Sequence, residues 1–149
     1  MLDDGFTFGF GLNAGVSWSD YLLALERQRI GLDLSDGIVP ATFLVADVGG
    51  EIVGRTSIRH SLNEFLAREG GHIGYGVLPI HRRRGYATEI LRQSLVVARA
   101  NGINRVLVTC DEGNIGSAAV IEACGGRFEC TVAVQGLPDA PSKRRYWID

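Results

Sequence analysis

Methionine occurs once in this chain, at its first residue, and cysteine three times, at Cys110, Cys124 and Cys130. An odd number of cysteines with no metal-ligand spacing argues against both a disulfide framework and a structural metal site. The thiols read as reduced, which suits a cytoplasmic protein, and no metal is expected. A lone methionine excludes a Met-lined docking groove. A surplus of one charge is also missing, because 15 Lys+Arg against 17 Asp+Glu leave a net charge of −2. No whole-protein field would gather DNA or RNA, so any anion must be bound locally. No segment approaches the ~20 apolar residues of a membrane span. The opening "MLDDGFTFGFGLNAG" has acids where a secretory leader has its basic segment, and glycines interrupt its apolar run. Neither solenoid-scale repeats nor a low-complexity linker are found.

What is present is a globular balance, 46% hydrophobic and 21% charged over 149 residues. That length supports one core and is short for two, so residues 1–149 are expected to form a single domain. "WSDYLLALERQRIG" reads as a helix capped by Ser19 or Asp20, with Tyr21, Leu22, Leu25 and Ile30 recurring and Gly31 closing it. "ATFLVADV" and "EIVGRTSIRH" around Gly49-Gly50 predict a hairpin. "SLNEFLAREGG" reads as an irregular or briefly helical link, and "HIGYGV" as a short strand ending at Pro79. "GYATEILRQSLVVARANG" is the clearest helix, with Ile90, Leu91, Leu95 and Ala98 on one face and Asn101-Gly102 as its stop. "INRVLVTCD" is the near-continuous apolar run of a strand covered on both faces. A second helix, "NIGSAAVIEACGG", follows, and then strands at "RFECTVAVQ" and "KRRYWI". The order implies an α/β domain with a mixed sheet, antiparallel hairpins flanking a central strand–helix–strand crossover.

Between the short strand and the long helix lies "VLPIHRRRGYAT", residues 77 to 88. Three adjacent arginines suit a solvated turn, a nucleic-acid patch or a loop around one anion. Nucleic acid is the weakest reading, since no interleaved aromatics or basic surplus support it. A strand, a glycine turn and a helix N-terminus together converge backbone N–H groups on one point, which favours an anion. Gly85 allows the tight turn and close approach, and Ala87 keeps the first helical turn open. The spacing is neither Gly-x-x-x-x-Gly-Lys nor Gly-x-Gly-x-x-Gly.

The pattern Arg82-x-x-Gly85-x-Ala87 resembles the acetyl-CoA loop of the GNAT N-acetyltransferases, whose consensus is Gln/Arg-x-x-Gly-x-Gly/Ala. From about Thr42 onward the chain looks closest to a bacterial branch of predicted acetyltransferases. The segments that carry this likeness run from Ile58 to Leu66, Gly70 to Tyr75, Arg84 to Leu91, Val106 to Asp111 and Arg145 to Ile148. The resemblance implies a GNAT fold, a mixed and mostly antiparallel sheet flanked by helices, and acetyl-CoA as acetyl donor. It places the backbone of Tyr75, Gly76 and Val77 against pantetheine. It also places Arg82, Arg83, Arg84, Gly85, Tyr86, Ala87 and Thr88 around the pyrophosphate. Asn114 would bond the pantetheine arm, with Ser117 one turn further on the cofactor side.

Two features depart from that family pattern. The tyrosine that many members carry seven residues after the helix-opening Asn is here Ile121, and Thr109 stands where an acidic residue is frequent. Of the remaining groups, His60 has a suitable intrinsic pKa for a base, and Glu64 could act through water or hold a cationic acceptor. Asn63, His72, Tyr75 and Tyr146 lie nearby in the same reading, and a plain structural role for His60 and His72 stands beside the catalytic one. The glycines of "FTFGFGL" weaken the strand with which such domains begin. A missing or rudimentary first strand leaves an exposed edge and favours a homodimer. The implied activity is acetyl transfer to a primary amine of a small metabolite, an amino acid or a peptide N-terminus. The competing class is a CoA-binding module without transferase activity. No nucleic acid or membrane partner is expected.

Overall fold

The computed structural model describes residues 6–9 and 12–149. Helix α1 spans Trp18–Ile30 and is followed by strands β1 (Ala41–Val48) and β2 (Glu51–Arg59). A π-helical turn, Leu66–Gly70, leads into β3 (Ile73–Val77), and a single 3₁₀ turn, Pro79–His81, precedes α2 (Tyr86–Ala100). Strand β4 (Val106–Asp111), helix α3 (Ile115–Ala123) and strands β5 (Arg127–Val132) and β6 (Lys143–Ile148) complete the chain. The elements follow the expected order, and the fold is the expected α/β arrangement of helices on largely antiparallel strands.

Local chemistry accounts for the boundaries. Gly49 and Gly50 both have positive φ, 63° and 88°, the geometry of the two-residue turn that matches strand twist. The cap of α1 is Ser17, whose Oγ accepts from the Asp20 N–H, in place of Ser19 or Asp20. Of the four apolar positions expected to face inward on α1, Tyr21 is buried while Leu22 and Ile30 are 57% and 56% exposed. The helix meets the rest of the fold mainly through β1, and one strand cannot cover a wide stripe. Residues 6–9 and 12–17 form no strand; Phe10 and Gly11, within the weak strand candidate, lie outside the described residues.

On α2 the buried positions are Ile90, Leu91, Ser94, Leu95 and Ala98, one continuous helical face. Ser94 is tolerated there because its Oγ donates to Ile90 O at 2.7 Å and lies 2.9 Å from Thr56 Oγ1, a second hydrogen-bonding partner. That face packs into a core with Ile58, Ile73, Val106, Val108, Ile121, Tyr146 and Ile148.

The single mixed sheet expected from the pattern is divided in two. One sheet has the order β1-β2-β3 and the other β4-β6-β5, each antiparallel throughout. They meet at one point, where the His72 N–H donates to Leu107 O at 2.8 Å and the Leu107 N–H donates to His72 Nδ1 at 2.9 Å. Gly71 permits this approach: with φ 69°, a Cβ there would lie 2.6 Å from Leu107 O. Beyond the clamp no backbone hydrogen bond joins β3 to β4 among the described residues, and the two strands border a wedge.

Candidate active site

Two cavities meet at this wedge. The larger, about 880 Å³, is lined by Tyr75, Gly76 and Val77 of β3, by the residues from His81 to Thr88 except Arg84, and by Asn114 with Gly116, Ser117 and Val120 of α3. The smaller, about 360 Å³, lies toward the π-helical turn and is lined by residues that include Arg59, Phe65, Glu69, Gly74, Thr109, Asp111 and Lys143. Tyr75, Asn114 and Ser117 border both.

The loop at the mouth of the larger cavity has the geometry of an anion cradle. Arg83 and Gly85 both take left-handed backbone conformations, φ 61° and 83°. A non-glycine residue at such an angle marks strain concentrated where ligands are gripped. Gly85 is the N-cap of α2 and no side chain caps that end. Among the described residues, the N–H groups of Arg83, Arg84, Gly85, Tyr86, Ala87 and Thr88 have no acceptor. The first intrahelical bonds of any α-helix leave such orphans, and their dipoles add to a positive end. Six unpartnered donors in one loop that also carries three arginines fit a pyrophosphate. The Arg82 Nε donates to Val77 O at 3.1 Å, tying the loop back to β3.

The strand side of the larger cavity is peptide-like. β2 pairs with one edge of β3, in the register Thr56↔Tyr75, Arg55↔Gly76 and Gly54↔Val77, and the opposite edge borders the wedge. An amide-bearing chain such as pantetheine can take that edge as an added strand. Asn114 caps α3 through Oδ1, which accepts the Ser117 N–H at 3.0 Å, and its Nδ2 has no acceptor among the described residues. The residues present therefore fit CoA in every part that the cavity exposes.

At the junction the Tyr75 hydroxyl lies 2.8 Å from Ser117 Oγ. Burial pushes the Tyr75 phenol up to about 12, so it stays protonated and able to donate at neutral pH. Cys110 and Cys124 thiols are also raised by burial, which leaves them poor nucleophiles. On the side of the smaller cavity, Glu69 is 5% exposed, and its Oε1 accepts the Gln135 N–H at 2.8 Å with Arg68 Nε at 3.5 Å. Asp111 is ion-paired with Lys143.

Eleven of the twelve residues expected to contact the cofactor line the larger cavity; Arg84 is not among them. The two candidate bases are placed elsewhere. His60 follows the end of β2, with Nε2 2.8 Å from Thr42 Oγ1, and its pKa is lowered by burial and then by Arg29. Glu64 is exposed before the π-helical turn, and neither residue lines either cavity. Ile121 is fully buried in the core, so the position of the family's frequent tyrosine does not face the wedge. Sequence reasoning missed Arg59, Glu69, Asp111 and Lys143, which come together from four separate segments. Their one shared signal is charge beside apolar strand ends, which many surface residues also carry.

A profile of the Acetyltransferase (GNAT) family matches residues 9–126. No curated protein sequence gives a significant match. Among solved structures, yncA from Salmonella typhimurium with its cofactor acetyl-CoA is 17% identical over 88% of this chain and 72% of that one, with a TM-score of 0.63. The ribosomal-protein-alanine N-acetyltransferase of Brucella melitensis is 19% identical over 89% of this chain and 78% of its own, with a TM-score of 0.65. A variant of spermidine N-acetyltransferase SpeG from Vibrio cholerae is 16% identical, covering 87% and 73% of the two chains, with a TM-score of 0.62. At these identities the likeness is one of fold.

Proposed function

Because the chain belongs to the acetyltransferase (GNAT) family, we propose that it transfers the acetyl group of acetyl-CoA to a primary amine by direct attack. The observation that carries this reading is the uncapped N-terminus of α2, with its unpartnered N–H groups, opening onto a groove of about 880 Å³ that ends beside a second cavity. The larger groove holds CoA and the smaller one the acceptor. Acetyl-CoA supplies an activated thioester, whose carbonyl carbon takes the amine lone pair and whose sulfur departs with the C–S electrons.

The chain's own residues then have separable tasks. The loop from Arg83 to Thr88 anchors the pyrophosphate, and the free edge of β3 aligns the pantetheine arm. The hydroxyl pair of Tyr75 and Ser117 stands where the two cavities join, suited to donate a proton to the departing sulfur. Glu69 is the buried carboxylate of the acceptor cavity, and we assign it the ammonium form of the acceptor and the proton that must leave before attack. His60 and Glu64 line neither cavity, so either would act as a base only through intervening water. The raised cysteine pKa values argue against an acyl-enzyme.

The test combines an amine library, acetyl-CoA and detection of the released thiol with initial-rate kinetics. Direct transfer predicts intersecting, sequential patterns and an active, folded variant lacking Cys110, Cys124 and Cys130. Ping-pong kinetics, or a folded but inactive cysteine-free variant, refutes it. The burial of Ile121 favours one rival, a CoA-binding module without turnover. Tight acetyl-CoA binding with no thiol release from any amine would establish that reading instead.

A further inference from the structure

Resting on the assignment of the smaller cavity to the acceptor, we propose that this cavity is a site for an amine that also carries a carboxylate, held by Arg59. Free amino acids and short peptides bound through their C-terminus are the chemical class that fits.

One charge about this cavity has no opposite charge beside it. The other charges about the cavity are matched within the chain: Asp111 with Lys143, and Glu69 with Arg68. Arg59 is not: no carboxylate of the described residues lies within ion-pair distance of it. Its Nη1 donates to Gly70 O at 3.2 Å and to Gly71 O at 3.3 Å, which fixes the plane of the guanidinium. Those carbonyls occupy one nitrogen and leave Nη2 and Nε without an acceptor among the described residues. A guanidinium so oriented presents a fork for one carboxylate.

Burial and the repulsion of Arg55 both disfavour the charged form of Arg59 and lower its pKa. A half-buried cation in that condition is stabilised by an anion that arrives with the substrate. Gly74 makes the approach possible. A Cβ there would sit 3.4 Å from both Nη1 and Nη2, so glycine keeps the face of the fork clear. Gly74 is also the neighbour of Tyr75, whose hydroxyl marks the junction with the CoA groove. Arg59 and Tyr75 line the same cavity, so a carboxylate held by one and an amine near the other can belong to one small acceptor.

The remaining walls agree with the assignment. Glu69, in the turn whose last carbonyl binds Arg59, meets Arg68 and the Gln135 N–H through Oε1 alone, so its Oε2 remains for the ammonium form. Phe65, 59% exposed, offers an apolar wall for a substrate side chain. A volume of about 360 Å³ lies at the small end of ligand cavities and admits an amino acid or a peptide terminus.

The experiment compares matched acceptors that differ only in the carboxylate. The twenty free amino acids and a set of Xaa-Gly dipeptides are assayed beside their C-terminal amides, with acetyl-CoA binding measured by calorimetry on the same protein. The expected result is a 10- to 100-fold higher kcat/KM for the acids, expressed mainly in KM (order of magnitude for one charge-assisted fork). Arg59→Gln should erase that preference, and Arg59→Lys should restore part of it. Unchanged acetyl-CoA affinity in both variants shows that they are folded. Absence of acetyl-CoA binding by the wild type would defeat the functional reading itself. With acetyl-CoA bound, three results would overturn the carboxylate site alone: amides accepted as well as acids, no acid turned over, or an acid preference that survives in Arg59→Gln.

Discussion

Replacing Gly71 by alanine tests the clamp on which the wedge depends. Gly71 has φ 69° and ψ −177°, a backbone region that is almost exclusively glycine's. Holding an alanine there costs about 1–3 kcal/mol in backbone strain. The new Cβ would also meet Leu107 O at 2.6 Å, Leu107 C at 3.2 Å and Val108 Cα at 3.4 Å. These are backbone atoms of a buried strand, so relief requires moving β4 away from β3, a further ~1–3 kcal/mol by analogy with overpacking. The expected destabilisation is about 2–6 kcal/mol, a large share of a typical domain's stability. Urea denaturation followed by circular dichroism reads it as a lower midpoint with unchanged slope. Because the His72–Leu107 bonds set how far the strands part, acetyl-CoA affinity should fall in the same variant wherever it remains folded. Gly113→Ala is the matched control: its φ is not positive and a Cβ there meets nothing within 4 Å, so it should stay within about 0.5 kcal/mol of wild type. A Gly71→Ala protein as stable as that control would refute the clamp.

At the glycine turn before α2, Gly85→Val should abolish acetyl-CoA binding in calorimetry, because a branched residue is strained at φ 83° and must shift the backbone that carries the unpartnered N–H groups. Arg82→Ala should weaken binding by about 1–2 kcal/mol, through loss of the Nε bond to Val77 O and of local charge; equal losses in the two variants would mean an ordinary electrostatic patch. Stability should also depend on pH through His72, whose pKa is lowered by burial and then by Arg59. The unfolded chain then binds this proton more readily, so the contribution is complete above the ordinary value of about 6.5 and is lost as pH falls through it toward the folded value. Thermal melts from pH 8 to pH 5 should show a steeper decline for the wild type than for His72→Asn, which keeps an acceptor for the Leu107 N–H but cannot titrate there; parallel declines would refute this.

The local signals in this chain were strong enough to be read without coordinates. Gly49-Gly50 between β-rich runs can form little but a tight hairpin turn, and the 3.6-residue spacing of Ile90, Leu91, Leu95 and Ala98 commits one face of α2 to the core. The unpartnered donors before α2 were legible for the same reason, since a helix N-terminus after a glycine turn carries its own orphan N–H groups wherever it is placed. Contiguity kept Tyr75 to Val77 and Arg82 to Thr88 together, and all but Arg84 line the groove. The smaller cavity had no such shortcut. Arg59, Glu69 and Gly74 lie on the first sheet and its connection while Asp111 and Lys143 lie on the second, and only the packing of the two sheets at Gly71 and Leu107 brings them to one cavity. His60 and Glu64 had the right chemistry by residue type, but type does not say which way a strand end or a loop faces. The division of the sheet was likewise invisible in the pattern, because period-2 alternation describes a strand's two faces and not which neighbour bonds to its edge. Composition and local spacing determined the elements and the glycine turn with its unpartnered N–H groups; the meeting of β3 and β4 decided where the smaller cavity lies and which charges line it.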